Sequence, residues 1–166
     1  MENNLTIRSV SLNDTEELIN IYSYYVLNTS ITFEYEVPTF DEFSQRIQKI
    51  TQKYPYLVAI VNHEIVGYCY ATTYKERPAY DWTVETSVYI KQDYHHLGIG
   101  TKLYNHLEEA LKEKSIKNML ACITIPNNES IDFHTKQGFV KVGHFSQIGY
   151  KLGEWRDTVW MQKVIK

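Results

Sequence analysis

Two glycines lie where the chain could hold an anion. Gly98 and Gly100 are one residue apart, directly before an amphipathic run that continues to residue 111. Glycine permits a positive φ and a close approach of backbone N–H groups to a ligand, and a helix N-terminus favours a negative charge. The spacing therefore predicts a phosphate-binding turn, although a glycine-rich turn without any ligand has the same pattern.

This turn does not match the two common nucleotide-binding loops. A dinucleotide-binding fingerprint requires a third glycine where the chain has Leu103, and a P-loop requires a Gly-Lys-Ser/Thr ending that is absent. The residues around the turn must therefore indicate whether it binds a phosphate and which ligand carries that phosphate.

A carboxylate interrupts the strand that is predicted just before the turn, in "WTVETSVYI" (82–90). Alternation places Val84, Thr86, Val88 and Ile90 on one face and Glu85, Ser87 and Tyr89 on the other. A lone carboxylate on a strand is a candidate general base, but it can equally pair with a surface lysine.

A mixed α/β scaffold is predicted to position these residues. Helical periodicity indicates helices over residues 13–27, 39–50, 99–111 and, from Asn127 or Asn128, up to Gly138. Asn13 and Thr39 are the expected N-caps of the first two, and Phe40, Phe43, Ile47 and Ile50 form the expected buried stripe of the second. Strand-like runs cover residues 5–10, 56–61, 65–72, 82–90, 118–125, 139–150 and 157–165. The order predicts antiparallel strands first and a parallel strand–helix–strand crossover in the middle.

Composition narrows the function classes. The 166 residues carry a net charge of −3, which argues against sequence-independent binding to a phosphate backbone. No repeat or linker marks a second domain, so one domain over residues 1–166 is expected. No apolar run is long enough to cross a bilayer and no signal peptide is evident, so a cytoplasmic protein is expected.

Cys69 and Cys122 lie in apolar strand-like runs and are predicted to be buried free thiols without a catalytic role. No Cys, His and carboxylate cluster has metal-ligand spacing, and adjacent His95 and His96 should point apart, so no metal site is predicted.

Two motifs carry a resemblance to a known family. The run from His95 to Gly100 resembles the R/Q-x-x-G-x-G/A loop of the GNAT superfamily of N-acetyltransferases, with His95 in the Arg/Gln position. A second element resembles N-x-x-A-x-x-x-Y-x-x-x-G-F, and its matching positions are Asn127, Ser130, His134, Gly138 and Phe139. His134 replaces the usual tyrosine.

Within that superfamily the chain looks most like the phosphinothricin and methionine sulfoximine N-acetyltransferase group. Its segments "SITFEYEVPT", "YDWTVETSVYI", "HTKQGF" and "GYKLGEWRDTVWMQ" carry the likeness. The resemblance implies a GNAT-like fold, with about seven strands in a mixed sheet and about four flanking helices. It also implies acetyl-CoA as cosubstrate, no metal, a small amino-acid-like amine as acceptor, and a homodimer.

The resemblance also assigns roles to residues. Glu85 and His134 are the implied catalytic residues, with Glu85 as the base. The leaving thiolate also benefits from a proton, and His134 or a nearby tyrosine such as Tyr104 is the candidate source. The implied cofactor-binding residues are Val88, Tyr89, Ile90, His95, His96, Leu97, Gly98, Ile99, Gly100, Thr101, Asn127 and Ser130. Arg77 is implied for the acidic end of the acceptor, although Pro78 departs from the asparagine common in this loop, and the segments of Phe33 and Trp82 are implied to lie near the acceptor. Tyr35 and Tyr80 are further candidates for the aromatic wall of that pocket, and Lys75 is a candidate helper of Arg77.

Several alternatives stay open at this stage. The position of His134 is also typical of an ordinary histidine on a helix surface. The aromatic residues assigned to the acceptor are equally typical of a hydrophobic core, and Arg77 of a solvated side chain. A GNAT enzyme could instead acetylate a protein N-terminus, a lysine, a polyamine or a drug amine, because fold and cofactor do not fix the acceptor. A noncatalytic acyl-CoA sensor would keep the glycines without needing Glu85.

Overall fold

Seven strands form a mixed sheet in the computed structural model, which describes residues 4–166. The strands are β1 (Leu5–Ser9), β2 (Tyr56–Val61), β3 (Glu64–Thr73), β4 (Thr83–Ile90), β5 (Asn118–Ile125), β6 (Val140–Lys151) and β7 (Glu154–Val164). Their order across the sheet is β1-β2-β3-β4-β5-β7-β6. Only β4 and β5 pair in parallel, and the other neighbours are antiparallel. The predicted mixed α/β class and seven strands are confirmed.

Four α-helices within residues 4–166 cover the two faces of the sheet. They are α1 (Thr15–Asn28), α2 (Phe40–Thr51), α3 (Ile99–Glu113) and α4 (Asn128–Lys136). Helices α1 and α2 pack in one core cluster with β2 and β3, whereas α3 packs on the opposite face with Val84 of β4. Leu103, Leu107 and Leu111 of α3 are fully buried there, and each contributes roughly 1.5–3 kcal/mol of burial free energy. None of the helices in residues 4–166 is long and apolar enough to cross a bilayer.

The first two helices begin differently from the prediction. Asn13 lies in a short 3-10 turn and is not the cap, because the Ser11 side chain accepts from its N–H at 3.3 Å. Asp14 closes that turn by accepting from the Ser11 N–H at 2.8 Å and by pairing with Arg8. Thr39 does cap α2, accepting from the Glu42 N–H at 3.2 Å. Phe40 is exposed, contrary to the predicted stripe, since it opens the helix and the buried residues of α2 lie in its later turns.

The two cysteines differ in burial. Cys69 is buried as predicted, but Cys122 is exposed. Cys122 lies on β5 beyond Leu120, the last β5 residue that pairs with β4, so the neighbouring strand no longer covers its side chain. The prediction of a buried thiol was therefore wrong at this position.

Candidate active site

Strands β4 and β5 separate in the middle of the sheet. Their parallel pairing runs from Thr83 with Asn118 to Glu85 with Leu120 and ends there. The Thr86 hydroxyl donates to the Leu120 carbonyl at 3.1 Å, which bridges the strands at the point of divergence. Beyond it lies a pocket of about 70 Å³ between the strands. The pocket shares Ile31, Val88, Asn127 and Ser130 with a larger cleft of about 650 Å³ that extends to the start of α3.

The exposed edge of β4 offers backbone donors to this cleft. The Lys91 N–H donates to Val66 of β3 at 2.8 Å, whereas the Ile90 carbonyl accepts from the Tyr25 hydroxyl, a residue of α1. Successive peptide groups of a strand alternate in direction, so the N–H groups of Val88 and Ile90 point away from β3. They therefore face the gap that β5 has left.

The glycine turn forms the far end of the cleft. Gly98 is the N-cap of α3 with φ +79°, a left-handed conformation that disfavours other residues. A Cβ at Gly98 would meet no atom within 4 Å, so conformation rather than space requires glycine here. A Cβ at Gly100 would lie 3.2 Å from the Phe133 ring, so this glycine permits the close packing of α3 on α4. The first N–H groups of α3 have no partner inside the helix and are free to bind an anion.

The two histidines of the turn converge instead of pointing apart. His96 has φ +64°, which turns its side chain to the same side as His95. His95 Nδ1 lies 3.3 Å and His96 Nε2 3.5 Å from one oxygen of Glu129. His95 Nε2 lies 3.1 Å from the Ile90 carbonyl and 2.9 Å from the Tyr25 hydroxyl. A negative side chain thus stands beside the turn that was predicted to bind phosphate.

Glu85 lies on the other face of the sheet from α3. It shares that face with Tyr70 and Tyr89, and it lines neither cavity. Burial raises the pKa of its carboxyl, and among residues 4–166 no lysine or arginine offsets that effect. The sequence-based alternative, a surface pair with lysine, does not describe this environment.

Tyr104 and His134 form a buried hydrogen-bonded chain on the α3 side of the gap. His134 Nδ1 donates to the Ser130 carbonyl at 2.8 Å, so its Nε2 accepts from the Tyr104 hydroxyl at 3.1 Å. Tyr104 also lies 3.2 Å from the Thr86 hydroxyl. Burial lowers the pKa of His134 and raises that of Tyr104, so both groups are held neutral. His134 is 4% exposed, which rules out the helix-surface alternative.

The predicted cofactor residues are mostly brought together, with two exceptions. Ten of the twelve line the larger cleft: Val88, Ile90, His95, His96, Gly98, Ile99, Gly100, Thr101, Asn127 and Ser130. Tyr89 lines only the smaller pocket, because its side chain points to the opposite face of β4, and Leu97 is exposed without lining either cavity. Asn127 also has a structural task, because its side chain accepts from the Ser130 N–H at 3.2 Å and caps α4.

The predicted acceptor residues lie outside the two cavities. They are Phe33, Tyr35, Lys75, Arg77, Tyr80 and Trp82, and all of them are exposed. The Lys75 ammonium lies 5.5 Å from the Tyr74 ring centroid and 5.7 Å from that of Tyr80. The Tyr35 hydroxyl donates to the Tyr150 carbonyl at the end of β6. The structure therefore does not join these six residues into one pocket.

Several residues of the cleft were missed by the sequence reasoning. Tyr25 lies in the periodic pattern of α1, where its apolar spacing predicts a core residue, and Ile31 lies in a loop without periodicity. Glu129 and Asp132 carry no signal beyond their place in a short helix. The motif around Asn127 offered one usable signal, since it places Glu129 in the first turn of a helix that should face the cofactor. The rest depends on contacts between distant segments.

Comparison with known proteins identifies the family. Residues 7–160 match the acetyltransferase (GNAT) domain. The chain is 33% identical over 157 residues to phosphinothricin N-acetyltransferase of Streptomyces viridochromogenes, covering 95% of this chain and 86% of the relative. It is 31% identical to the L-methionine sulfoximine/L-methionine sulfone acetyltransferase of Pseudomonas aeruginosa, covering 95% and 92%. A crystal structure of a GNAT superfamily phosphinothricin acetyltransferase from Sinorhizobium meliloti in complex with AcCoA superposes with a TM-score of 0.94 at 32% identity, covering 97% of this chain and 88% of that one. The chain belongs to the GNAT family of acetyltransferases.

Proposed function

We propose that the protein transfers the acetyl group of acetyl-CoA to the amino group of a small, amino-acid-like acceptor. Methionine sulfoximine, methionine sulfone and phosphinothricin are the acceptors that the relatives' names suggest. One observation carries the proposal: connected cavities lead from the glycine turn of α3 to the gap between β4 and β5, and Glu85 stands where the gap begins. The donor would enter from one face of the sheet and the acceptor from the other.

The described residues fit acetyl-CoA. The cleft of about 650 Å³ falls within the roughly 300–1,000 Å³ typical of small-molecule sites. The free amides of Ile99, Gly100 and Thr101 would bind the pyrophosphate, and the N–H groups of Val88 and Ile90 would bind the pantetheine amides and polarise the thioester oxygen. When bound, acetyl-CoA supplies the activated acetyl group.

Glu85 has the role of general base in this proposal. An amine attacks a carbonyl carbon only as the neutral base, and α-amino groups are largely protonated at neutral pH. The raised pKa of Glu85 makes it a better proton acceptor than an exposed carboxylate. The proton is taken directly or through one water molecule, since the glutamate lies beside the gap without lining it.

Tyr104 is the better candidate for the hydrogen bond to the departing sulfur. The Nδ1 proton of His134 is engaged with a carbonyl and its Nε2 accepts from Tyr104, so neutral His134 has no free proton to give. Tyr104 has a single O–H proton, which points to His134 Nε2 in the resting protein and reaches the sulfur by rotation about the phenol C–O bond. His134 holds the tyrosine oxygen at the floor of the pocket until then. This arrangement makes Tyr104 the group that touches the thiolate and His134 the group that positions it.

Transfer is direct in this proposal. The Cys122 side chain reaches solvent, yet surrounding atoms desolvate its thiol and Glu85 adds a negative charge, which together raise its pKa to about 11. A protonated thiol is a poor nucleophile, so an acetyl-enzyme is not expected. Initial-rate plots should intersect, and parallel lines would contradict this mechanism.

Arg77 and Lys75 supply positive charge for the acidic end of the acceptor, with Phe33, Tyr35, Tyr80 and Trp82 as aromatic contacts. Guanidinium binds a carboxylate with two parallel hydrogen bonds. The exposed apolar side chains of Val140, Val142, Phe145 and Ile148 on β6 support a homodimer. A cytoplasmic location follows from the proposed use of acetyl-CoA.

The test is thiol release from acetyl-CoA with a panel of amines. The panel contains the three named acceptors, ordinary amino acids, spermidine and an N-terminal peptide, and mass spectrometry identifies the acetylated product. Saturable activity confined to the three acceptors is expected. Activity on spermidine or the peptide alone would overturn the acceptor, and tight acetyl-CoA binding without turnover on any amine would favour a sensor.

A further inference from the structure

The loop between α1 and α2, residues 29–39, connects the cleft with the proposed acceptor side. Ile31 lines both cavities, and Phe33 and Tyr35 are two of the predicted acceptor contacts. The loop has no helix or strand of its own. Its position must therefore be set by the side chains that hold it.

Lys151 is the most unusual of these side chains. It lies at the end of β6 and is only 4% exposed, although lysine is almost never fully buried. Its Nζ donates to the Thr32 carbonyl at 2.8 Å. A tight turn with Leu152 and Gly153 in left-handed conformations follows. The backbones of Lys151 and Glu154 are partners in the β6–β7 strand pairing across this turn, so Lys151 lies at the end of a well-defined hairpin.

A second group of bonds holds the same loop from the helices. The Tyr22 hydroxyl donates to Glu34 Oε1 at 2.7 Å and lies 2.7 Å from the Thr32 hydroxyl. Arg46 pairs with both oxygens of Glu34, with 3.0 Å from Nη2 to Oε2. The Glu34 charge also opposes the desolvation that lowers the pKa of Lys151. The Glu34 carboxylate, which pairs with Arg46, thus favours the buried ammonium electrostatically, and the Thr32 carbonyl is its hydrogen-bond acceptor.

The end of β6 makes two further contacts with the loop. A Cβ at Gly149 would overlap the Phe33 ring, so the ring lies directly on the strand backbone. Tyr35 donates its hydroxyl to the Tyr150 carbonyl. Three successive residues of β6 therefore hold the segment from Thr32 to Tyr35.

We propose that Lys151 is a positioning residue for acceptor use: it fixes the α1–α2 loop on the β6–β7 hairpin and so places Ile31 and Phe33. This inference rests on the proposed function. A buried lysine that served stability alone would be a poor choice, since a well-packed apolar side chain of similar volume is usually as stabilising or more so. The ammonium instead fixes one carbonyl, and hence one conformation of a loop that has no regular hydrogen bonds.

The test replaces Lys151 by Met, which keeps the length without the charge and donor. Lys141→Met, an exposed lysine of the same strand, is the matched control. We expect kcat/KM for the acceptor to fall about tenfold, mainly through KM, because a small displacement of a positioning loop is enough for such a loss. The Kd for acetyl-CoA measured by calorimetry should stay within about twofold, as for a change that leaves cofactor binding intact. Lys151→Arg, which retains the charge and the donor, should restore much of the loss.

Hydrogen exchange gives a readout that does not need activity. The Ile31 and Glu34 amides donate to the Thr29 and Thr32 hydroxyls at 3.1 and 3.4 Å. In Lys151→Met these two amides should exchange about tenfold faster, while those of the sheet stay at parent rates, as expected for local opening. If the loop amides of Lys151→Met exchange at the same rates as in the parent protein and KM for the acceptor is also unchanged, the inference is wrong. If the parent protein acetylates none of the acceptors, the proposed function fails, but the exchange experiment still decides whether Lys151 fixes the loop. If the Met variant fails to fold, Lys151→Gln replaces it, and parent exchange in its loop counts equally against the inference.

Discussion

Replacing Glu85 by Gln should lower activity and raise stability at the same time. The substitution keeps the shape of the side chain and removes its charge. As the proposed base, Glu85 contributes on the order of 10²–10⁴ in rate, so kcat/KM at neutral pH should fall by that factor. Acetyl-CoA affinity should hardly change, because Glu85 does not line the cleft.

The stability change follows from the direction of the pKa shift. Burial raises the pKa of Glu85 in the folded protein, so folding favours the protonated form. The parent protein therefore loses stability as pH rises through that folded-state pKa. Glutamine carries no charge to desolvate. The free energy of unfolding of Glu85→Gln should therefore exceed that of the parent by about 1 kcal/mol at neutral pH, as is common when a functional site is neutralised. For a domain of this size that corresponds to a Tm increase of roughly 2–4 °C.

The assay compares Glu85→Gln with Glu113→Gln, which removes an exposed carboxylate at the end of α3. Initial rates and thermal unfolding are measured from pH 5.5 to 9. The Tm difference between Glu85→Gln and the parent should grow until the pH exceeds the folded-state pKa of Glu85 and stay constant above it. The variant should also lose the acidic limb of the parent's pH–rate profile. A lower Tm with an unchanged rate would show that Glu85 is a structural ion-pair residue and would refute the reasoning.

Four further substitutions test other parts of the site. Glu129→Gln should tighten acetyl-CoA binding by about threefold in calorimetry, because it removes an exposed negative charge beside the glycine turn; weaker binding would instead make the carboxylate a useful orienter of His95. Tyr104→Phe should lower kcat by about 10- to 100-fold with little change in KM for the acceptor, as expected for loss of a donor to the leaving group. His134→Ala should lower kcat by a smaller factor. A larger loss of kcat in His134→Ala than in Tyr104→Phe would make His134 the acid. Gly98→Ala should cost about 1–2 kcal/mol because alanine resists the left-handed conformation, and a thermal melt equal to that of the parent would show that the turn relaxes.

Local patterns predicted the elements well because they depend on near neighbours. The apolar spacing of α3 and the alternation of β4 follow from 3.6- and 2-residue periods, and the structure confirms both. The capping error at Asn13 arose because Ser11 and Asp14 cap a separate 3-10 turn over residues 12–14, and α1 begins only after it, at Thr15. The exposure of Cys122 could not be predicted, since it depends on where β4 leaves β5.

Contacts between distant segments set the limits of the sequence reasoning. Glu129 meets His95 across 34 residues, and Lys151 meets Thr32 across 119. No local period encodes such pairs. The motifs did place most of the cofactor-facing residues in one cleft. The roles assigned to Glu85, Tyr104 and His134 stay predictions, because chemistry with a bound acceptor is needed to test them.

The most direct test of the central claim is to incubate the purified protein with acetyl-CoA and methionine sulfoximine and to quantify both products. Free coenzyme A thiol and N-acetylated methionine sulfoximine should appear in equal amounts, with saturation in both substrates. Thiol release without the acetylated acceptor, or no release despite measurable acetyl-CoA binding, would contradict the account.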